Sequence, residues 1–468
     1  MFPMSTKHDI LRKPLPLLAL ALFITGCADT SGLQSYTDLA YKAGREPNPV
    51  IVIPGILGTR LLDTSSDRIA WGAYGPGAIH HGTDDGRRSL ALPMRMGADL
   101  VSLNDDVRPD GTLDRLTLAG GVGIKAYHNL LQALVIGGYR DETRRPPGKN
   151  EHISCFEFGY DWRRSNAESA AELGRFIEKK RRFIIAERKR RGLPPREIKF
   201  DIVAHSMGGL VARYYLMYGS AAPPTDGRRP QVTWAGAGNV RRFIQVGTPN
   251  AGSTQALLQL KNGMGLSPFV PRFQPAVIGT MPSAYELLPR AADHPLLDAA
   301  GKPLDPFDPA VWKRYRWGLA APEQDIFLQQ LLPDIPDQAE RLEIALDHQR
   351  KSLASAKAFH AALDCRCTLP PGVTMHTFVA NASPTVSQVR VSPDGSLIPI
   401  AHLPGDNTVT VRSALSHAPN DQSGPIPWTS IHTINASHMT MPIQPEFIRQ
   451  LLGLLLDADP SHITQHFR

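Results

Sequence analysis

Short, mostly apolar runs recur along the chain and are typical of buried strands. They lie at residues 49–53, 198–204, 242–246 and 373–380. Between them, apolar residues recur at the three-to-four spacing of amphipathic helices, as at residues 210–217. Strands that alternate with helices predict an α/β protein with a mostly parallel central sheet and helices on both faces.

The pattern becomes helical between residues 254 and 370. Residues 327–332 are largely apolar, and residues 336–363 form a long amphipathic stretch. Because this region lies between two groups of predicted strands, we expect a helical cap whose apolar surface receives substrate and excludes water. The alternative is that its apolar residues pack only against each other. Further on, a hairpin turn is predicted at residues 393–395 and a closing helix at residues 445–456.

The first residues have the pattern of an export signal. A positively charged stretch ending at Lys13 precedes an apolar core at residues 14–25, which is too short to span a membrane comfortably. The sequence Ile-Thr-Gly-Cys that ends at Cys27 resembles the lipobox of bacterial lipoproteins, in which this cysteine is lipidated. Ala28, in place of Asp, then favours the outer membrane. The alternative is an ordinary signal peptide with a cysteine near its cleavage site.

These patterns divide the chain into five segments. We predict a lipoprotein-type signal peptide (1–26), a tether (27–48), the first part of the α/β core (49–253), a helical cap insertion (254–370) and the last part of the core (371–468).

Composition excludes some partners. The 51 Lys and Arg exceed the 44 Asp and Glu by only seven in 468 residues, and no basic stripe is interleaved with aromatic residues, so we expect no binding of nucleic acid. The densest basic stretch, residues 179–191, has helical spacing and predicts a solvated helix face. Attraction to anionic lipid is the alternative.

Three cysteines follow Cys27, namely Cys155, Cys365 and Cys367. In an exported protein Cys155 could pair with either of the other two, which would leave one thiol over. Cys and His show no metal-ligand spacing, so we expect neither a metal nor another cofactor.

The strongest chemical signal is Ala-His-Ser-Met-Gly at residues 204–208, between a predicted strand and a predicted helix. It matches the nucleophile-elbow pattern Gly-x-Ser-x-Gly with Ala at the first small position, where a tight turn lifts the serine hydroxyl above the sheet. We predict Ser206 as the nucleophile and the backbone N–H of Met207 as a donor to the oxyanion. A helix N-cap is the alternative role for this serine.

A glycine-containing loop, Pro-Gly-Ile-Leu-Gly at residues 54–58, follows the first predicted strand. In an α/β-hydrolase the loop after such a strand supplies the second oxyanion donor. We assign this role to the N–H of Ile56 and expect Gly55 and Leu57 to line the substrate cleft. The alternative is a turn without chemistry.

Four motifs, in the same order along the chain, resemble the lecithin:cholesterol acyltransferase family, including its lysosomal phospholipase branch. They are the loop at 54–58, Ala-Tyr-His-Asn-Leu-Leu from residue 126 with Gly-Tyr-Arg-Asp-Glu from residue 138, Gly-Tyr-Asp-Trp-Arg-Arg from residue 159, and the elbow. The resemblance implies an α/β-hydrolase fold and acyl chemistry on lipid esters. It also implies that the Tyr-Asp-Trp-Arg block helps to form the cleft wall, with Trp162 as a substrate contact. A structural role for this block is equally consistent with its residues.

The triad acid is assigned to Asp406. Its segment, Pro-Gly-Asp-Asn-Thr-Val at residues 404–409, resembles the family block that carries the acid, with Asn407 in place of a glycine. Because Asn tolerates a positive φ, we expect the loop to keep its shape. Asp394 and Asp421 compete for the role, but a turn explains each of them.

The triad base is assigned to His438, in a loop after the alternating strand pattern at residues 430–434. It matches the family's position, and the order Ser206, Asp406, His438 is the order of this fold. Loop, sheet-surface or tail positions explain the competing histidines, which are His417, His432, His462 and His466.

These residues predict a serine-dependent acyl hydrolase or acyltransferase that acts on lipid esters through an acyl-enzyme. The expected partners are the lipid ester and, through Cys27, a membrane surface, and we expect a monomer. Two alternatives remain: an esterase or depolymerase for a non-lipid ester, and a non-catalytic surface lipoprotein that retains the fold.

Overall fold

The computed structural model describes residues 46–457, apart from 74, 76, 114, 118–122, 126, 142–145, 150, 225–227, 229, 266–270 and 418–423. The predicted signal peptide, Cys27 and most of the predicted tether lie outside the described residues. The last tether residues are held on the core. The Glu46 carboxylate pairs with the guanidinium of Arg188, and the Asn48 side chain donates to Asp201 over 3.3 Å.

The strands are β1 (Val50–Ile53), β2 (Thr59–Asp63), β3 (Arg68–Trp71), β4 (Val107–Thr112), β5 (Arg115–Thr117), β6 (Gly123–Lys125), β7 (Cys155–Glu157), β8 (Phe200–His205), β9 (Val240–Val246), β10 (Leu296–Leu297), β11 (Thr374–Val379), β12 (Ser383–Val391), β13 (Leu397–Gly405) and β14 (Ser430–Thr433). The α-helices are α1 (Asp84–Leu90), α2 (His128–Ile136), α3 (Asn166–Arg190), α4 (Met207–Tyr218), α5 (Thr254–Asn262), α6 (Pro275–Ile278), α7 (Pro282–Glu286), α8 (Pro309–Tyr315), α9 (Asp325–Leu331), α10 (Gln338–Leu363), α11 (Val411–Leu415) and α12 (Pro445–Leu455). Within the described ranges, no helix combines the length and apolarity needed to cross a bilayer.

The main sheet has six strands in the order β14-β11-β9-β8-β1-β7, and all its pairs are parallel. A smaller sheet, β10-β12-β13, contains the predicted hairpin, whose strands β12 and β13 are antiparallel. Two further small sheets, β3-β2-β4 and β5-β6, lie between β1 and α2 along the chain. Because parallel strands end at the same edge, the loops that follow β1, β8, β9 and β11 meet there.

Both faces of the main sheet are covered by helices. Alternate side chains of a strand point to opposite faces. Ile51 and Ile202 belong to the core shared with α3, α4 and α10, whereas Val52 and Val203 belong to the core shared with α2 and α12. The predicted α/β-hydrolase fold is confirmed, and the carboxyl edge of the sheet is the place left for a site.

The region between β9 and β11 contains helices α5 to α10, as the pattern predicted. These helices do not pack only against each other. The Ser283 hydroxyl donates to the Trp162 carbonyl over 2.5 Å, and the buried Glu286 carboxyl accepts from Ser165 Oγ and from the N–H of Asn166, both at 2.7 Å. Burial raises the pKa of Glu286 to about 8. The region is therefore bonded to the start of α3 and to the Trp162 block.

The basic stretch of α3 is largely paired on its own surface. Arg181 and Arg182 both bind Glu178, and the ammonium of Lys180 lies 4.9 Å from the centre of the Phe156 ring. These contacts agree with a solvated helix face. Within the described ranges no disulfide joins Cys155 to Cys365 or Cys367.

Candidate active site

The serine of the predicted elbow lies between strand β8 and helix α4. Its backbone has a φ of +54°, and its side chain makes no capping hydrogen bond to the helix. The turn is tight, because a Cβ added to Gly208 would stand 2.4 Å from the Pro54 carbonyl oxygen. An N-cap therefore does not explain Ser206, and its hydroxyl is free to bond elsewhere.

The structure brings the three predicted triad residues together. Nε2 of His438 lies 2.8 Å from Ser206 Oγ, and Nδ1 of His438 lies 2.7 Å from Asp406 Oδ2. All three are buried, with 7%, 1% and 7% of Ser206, Asp406 and His438 exposed. Because a carboxylate can only accept, Nδ1 carries the proton and Nε2 accepts from the serine hydroxyl. The arrangement can move a proton from Ser206 to His438.

The loop around Asp406 keeps this carboxylate ionised. Burial alone would raise the pKa of Asp406, but the adjacent His438 and the N–H groups of Thr408 and Val409, which donate to Oδ1 over 2.9 and 2.7 Å, lower the pKa below its ordinary value. Asn407 has a φ of +79°, so the expected tolerance of this position for a left-handed backbone is confirmed.

Space for the Asp406–His438 pair depends on Gly247, directly after β9. Its φ is +60°, and an added Cβ would lie 3.3 Å from both Asp406 Oδ2 and His438 Nδ1. Any side chain at this position would crowd the pair. The sequence pattern, a strand followed by a turn, did not indicate this role. Only the packing of two distant loops reveals it.

The two predicted oxyanion donors are unused N–H groups. Within the described part of the chain, the N–H of Ile56 and the N–H of Met207 have no hydrogen-bond acceptor. Gly55 packs against the serine so closely that an added Cβ would lie 2.8 Å from Ser206 Cβ. A backbone N–H without a protein acceptor bonds to water or to a ligand. A substrate oxygen can supply that partner here, and the start of α4 adds partial positive charge.

An apolar pocket adjoins the loop at residues 54–58, which we call the oxyanion loop because it contains the predicted donor Ile56. Leu57, which was predicted to line the cleft, forms one wall together with Ile56, Trp162 forms another, and α5 contributes Ala256 and Leu260. The cavity volume is only about 20 Å³, so the pocket is narrow in this structure. Gly55, in contrast, contacts Ser206 rather than the pocket.

The Tyr-Asp-Trp-Arg block lines the pocket with one residue and fixes its own loop with two others. Trp162 lines the pocket and donates from Nε1 to the Thr59 carbonyl over 3.1 Å. The fully buried guanidinium of Arg163 is bound by Asp161 and by Asp105, at 2.8 and 2.7 Å. Only the tryptophan reaches the pocket, and its neighbours fix the loop that carries it.

The competing residues take other positions. Asp394 caps the hairpin turn by accepting from Ser392 and Ser396, as predicted. His417 lies near the end of α11, apart from the triad contacts. Asp421, His462 and His466 lie outside the described residues. No group of three or more His, Cys, Asp or Glu side chains that could hold a metal ion occurs in the described ranges.

His432 belongs to a second chain of hydrogen bonds, which we call the β14 relay. Ser430 Oγ lies 2.6 Å from His432 Nε2 and 2.7 Å from His376 Nδ1, and His432 Nδ1 lies 2.8 Å from Gln450 Oε1. Since the amide oxygen accepts, His432 donates from Nδ1 and accepts the Ser430 proton at Nε2. Ser430 and His432 lie on the edge strand β14, three strands away from β8, and His376 lies on the neighbouring strand β11.

Comparisons with known proteins found one family model that matches this sequence. The family model of lecithin:cholesterol acyltransferase matches residues 107–332. No curated protein matches the chain.

Several solved structures also match this chain. A chain of the Tle4–Tli4 complex is 18% identical, with 90% of this chain and 99% of that chain covered and a TM-score of 0.54. Lipase BlEst2 from Bacillus licheniformis is 13% identical over 88% of this chain and 92% of its own, with a TM-score of 0.30. Lipase 1 from Pelosinus fermentans is 12% identical over 89% and 100%, with a TM-score of 0.34.

The matched residues include three of the four motifs on which the resemblance was based, and only the loop at 54–58 lies outside them. Together with the observed fold, it supports acyl-ester hydrolysis or transfer. Residues 107–332 are thus similar to the lecithin:cholesterol acyltransferase family, and the described residues have the α/β-hydrolase fold.

Proposed function

We propose that this protein is a serine-dependent acyl hydrolase or acyltransferase that acts on lipid esters. The observation that carries the proposal is the buried chain Ser206–His438–Asp406, with distances of 2.8 and 2.7 Å between its members. A binding protein that only retained the fold would not need these three side chains in register.

In the proposed reaction, Ser206 Oγ attacks the ester carbonyl carbon while its proton passes to His438 Nε2. The negative oxygen of the tetrahedral intermediate accepts from the N–H groups of Ile56 and Met207. His438 then gives its proton to the departing alcohol, which leaves the acyl group on Ser206. Water or a second alcohol, deprotonated by His438, removes the acyl group. Asp406 stays ionised and stabilises the imidazolium.

The pocket beside the oxyanion loop supports an acyl chain as the group held during this step. Its walls at Ile56, Leu57 and Leu260 are apolar, and it starts at the loop that would bind the carbonyl oxygen. We propose that the segment between β9 and β11 acts as the cap that supplies part of this pocket. The cavity of about 20 Å³ widens to admit such a chain, which then keeps the carbonyl beside Ser206 and displaces water from the site.

A fluorophosphonate probe tests the nucleophile. It should label the protein on Ser206, and the Ser206→Ala variant should remain unlabelled. Ser430→Ala is the matched control, because it removes a hydroxyl that also donates to an imidazole, and it should be labelled like the original protein. Labelling of Ser206→Ala at another residue would remove the proposed nucleophile.

A product assay separates the two activities. The protein is supplied with a phospholipid and an acceptor alcohol, and free fatty acid is compared with newly formed ester. Fatty acid alone would indicate a hydrolase, and new ester an acyltransferase. Turnover of soluble esters with none of any lipid would overturn the proposed substrate class.

We also propose that Cys27 is lipidated and that the protein is exported to the outer membrane. The support is the sequence of the first 27 residues. Metabolic labelling with a radioactive fatty acid should mark the protein and not its Cys27→Ser variant. Equal labelling of both would contradict the anchor.

A further inference from the structure

A chain of buried hydrogen bonds connects the oxyanion loop to the loop of the base. The Tyr127 hydroxyl accepts from the N–H of Gly55 over 2.9 Å and lies 2.8 Å from His205 Nδ1. Nε2 of His205 lies 3.1 Å from the carbonyl oxygen of His438. Tyr127 and His205 are each 4% exposed. Neither touches the proposed reacting atoms through a hydrogen bond, yet each is bonded to a loop that does.

The direction of every bond in this chain follows from its end. The His438 carbonyl can only accept, so Nε2 of His205 carries a proton. Burial lowers the pKa of His205 to about 3, so the imidazole is neutral and its Nδ1 accepts. The Tyr127 hydroxyl therefore donates to His205 and uses a lone pair for the N–H of Gly55. One arrangement of protons satisfies all three bonds.

We infer that Tyr127 and His205 are positioning residues, which hold the oxyanion loop and His438 at a fixed separation around Ser206. The inference rests on the proposed function. Gly55 packs against Ser206, and its peptide leads directly to the N–H of Ile56. His438 is held at its carbonyl by His205 and at its ring by Asp406 and Ser206. Displacement of either loop changes the distances that the reaction uses.

A purely structural role makes a different prediction. Removal of the Tyr127 hydroxyl leaves the Gly55 N–H and a nitrogen of His205 without partners, which destabilises any buried site. If that were the whole effect, stability would fall while the folded enzyme kept its turnover. A positioning role requires in addition that kcat falls in the folded protein, with little change in KM, because the ground-state pocket is intact.

The test compares Tyr127→Phe with Tyr218→Phe in the full chain. Tyr218 lies at the far end of α4 from Ser206, and its buried hydroxyl donates to the Ala362 carbonyl over 2.8 Å, so the control removes the same group at similar burial. Tyr127→Phe should lower kcat about tenfold to a hundredfold and leave KM nearly unchanged. Tyr218→Phe should lose stability and keep its kcat. A kcat of Tyr127→Phe equal to that of the control would overturn the inference.

His205→Asn provides a second, independent measurement. Asn has no group at the position of Nε2, so the bond to the His438 carbonyl is lost. If the two residues act as one chain, kcat of the double variant with Tyr127→Phe should fall by less than the product of the two single effects. Multiplication of the two effects would contradict the chain. Absence of ester turnover and of probe labelling in the unaltered protein would instead contradict the proposed function itself.

Discussion

The triad of Ser206 and the β14 relay each contain a hydrogen bond from a serine hydroxyl to an imidazole, in two different parts of the main sheet. In both, a serine hydroxyl donates to Nε2 of a histidine whose Nδ1 donates to a side-chain oxygen. Ser206 follows the carboxyl end of a central strand, whereas Ser430 is the first residue of the edge strand β14.

The surroundings of the two serines differ in charge and in backbone. The oxygen behind His438 belongs to the carboxylate of Asp406, and the oxygen behind His432 belongs to the neutral amide of Gln450. Ser206 has a φ of +54° and precedes a helix, next to unused N–H groups, while Ser430 also accepts from His376. A serine–imidazole bond is thus only one requirement. Charge behind the base and donors for an oxyanion are the others.

The largest expected effect comes from removal of the serine hydroxyl at each of the two positions. Ser206→Ala should lower ester turnover at least about 10⁴-fold, because no oxygen remains to form the acyl-enzyme. Ser430→Ala should leave turnover unchanged, although it also removes a bonded hydroxyl. Initial rates with one soluble ester measure both variants. Comparable losses in the two would mean that the β14 relay contributes to the reaction.

A second prediction makes the first site resemble the relay. Asp406→Asn replaces the carboxylate by an amide of nearly the same shape and should lower kcat about 10³- to 10⁴-fold, because the imidazolium loses its counter-charge and the proton position on His438 changes. The reciprocal change, Gln450→Glu, should create no labelling of Ser430 by a fluorophosphonate. Labelling at Ser430 would show that a charge alone is sufficient.

A third prediction concerns the pocket beside Ser206. Ala256→Leu narrows it and should lower the ratio of long-chain to short-chain ester turnover about tenfold, because added carbons compete with the acyl chain for space. Ala186→Leu, on the exposed surface of α3, is the matched control and should keep the original ratio. Rates on a series of esters of increasing chain length measure the effect. An unchanged ratio in Ala256→Leu would place the acyl chain elsewhere.

The smallest expected effect is a change in thermal stability at low pH, caused by His376 of the β14 relay. Burial lowers the pKa of His376 to about 4, below its unfolded value of about 6.5. Its contribution to stability is therefore complete above pH 6.5 and is lost as the pH falls towards 4. His376→Asn removes this dependence, so the difference in thermal midpoint between the original protein and the variant should shift by about 1–3 °C in favour of the variant between pH 7.5 and pH 5. A constant difference would contradict this.

The local parts of the site were predictable from the sequence. The elbow, the strand before it and the helix after it are short-range patterns, and the loops of Asp406 and His438 carry their own motifs. Asn407 could be assigned a left-handed backbone because few residue types accept one. The predicted strand was 198–204, and the observed strand is Phe200–His205. The two differ only at their ends, which are decided by pairing with neighbouring strands more than by the local sequence.

The parts that depend on distant contacts were not predictable. Nothing in the pattern around Tyr127 indicates a bond to a residue 78 positions later, and Gly247 has a role only because two loops pass beside it. The N-cap alternative for Ser206 was settled by the direction of one hydroxyl. The packing of the region between β9 and β11 was settled by the bonds of Ser283 and Glu286 to the Trp162 block and the start of α3.

The ion pair between Glu46 and Arg188 fixes the edge of the main sheet at which the chain enters the domain. Strand β1 starts four residues later, so the chain enters the sheet at its amino edge, and Ser206 lies at the opposite edge of the same parallel sheet. If Cys27 is lipidated as proposed, the link to the membrane joins the domain at the amino edge of the sheet. A bulky ester then reaches Ser206, and its products leave, at the edge opposite this point of attachment.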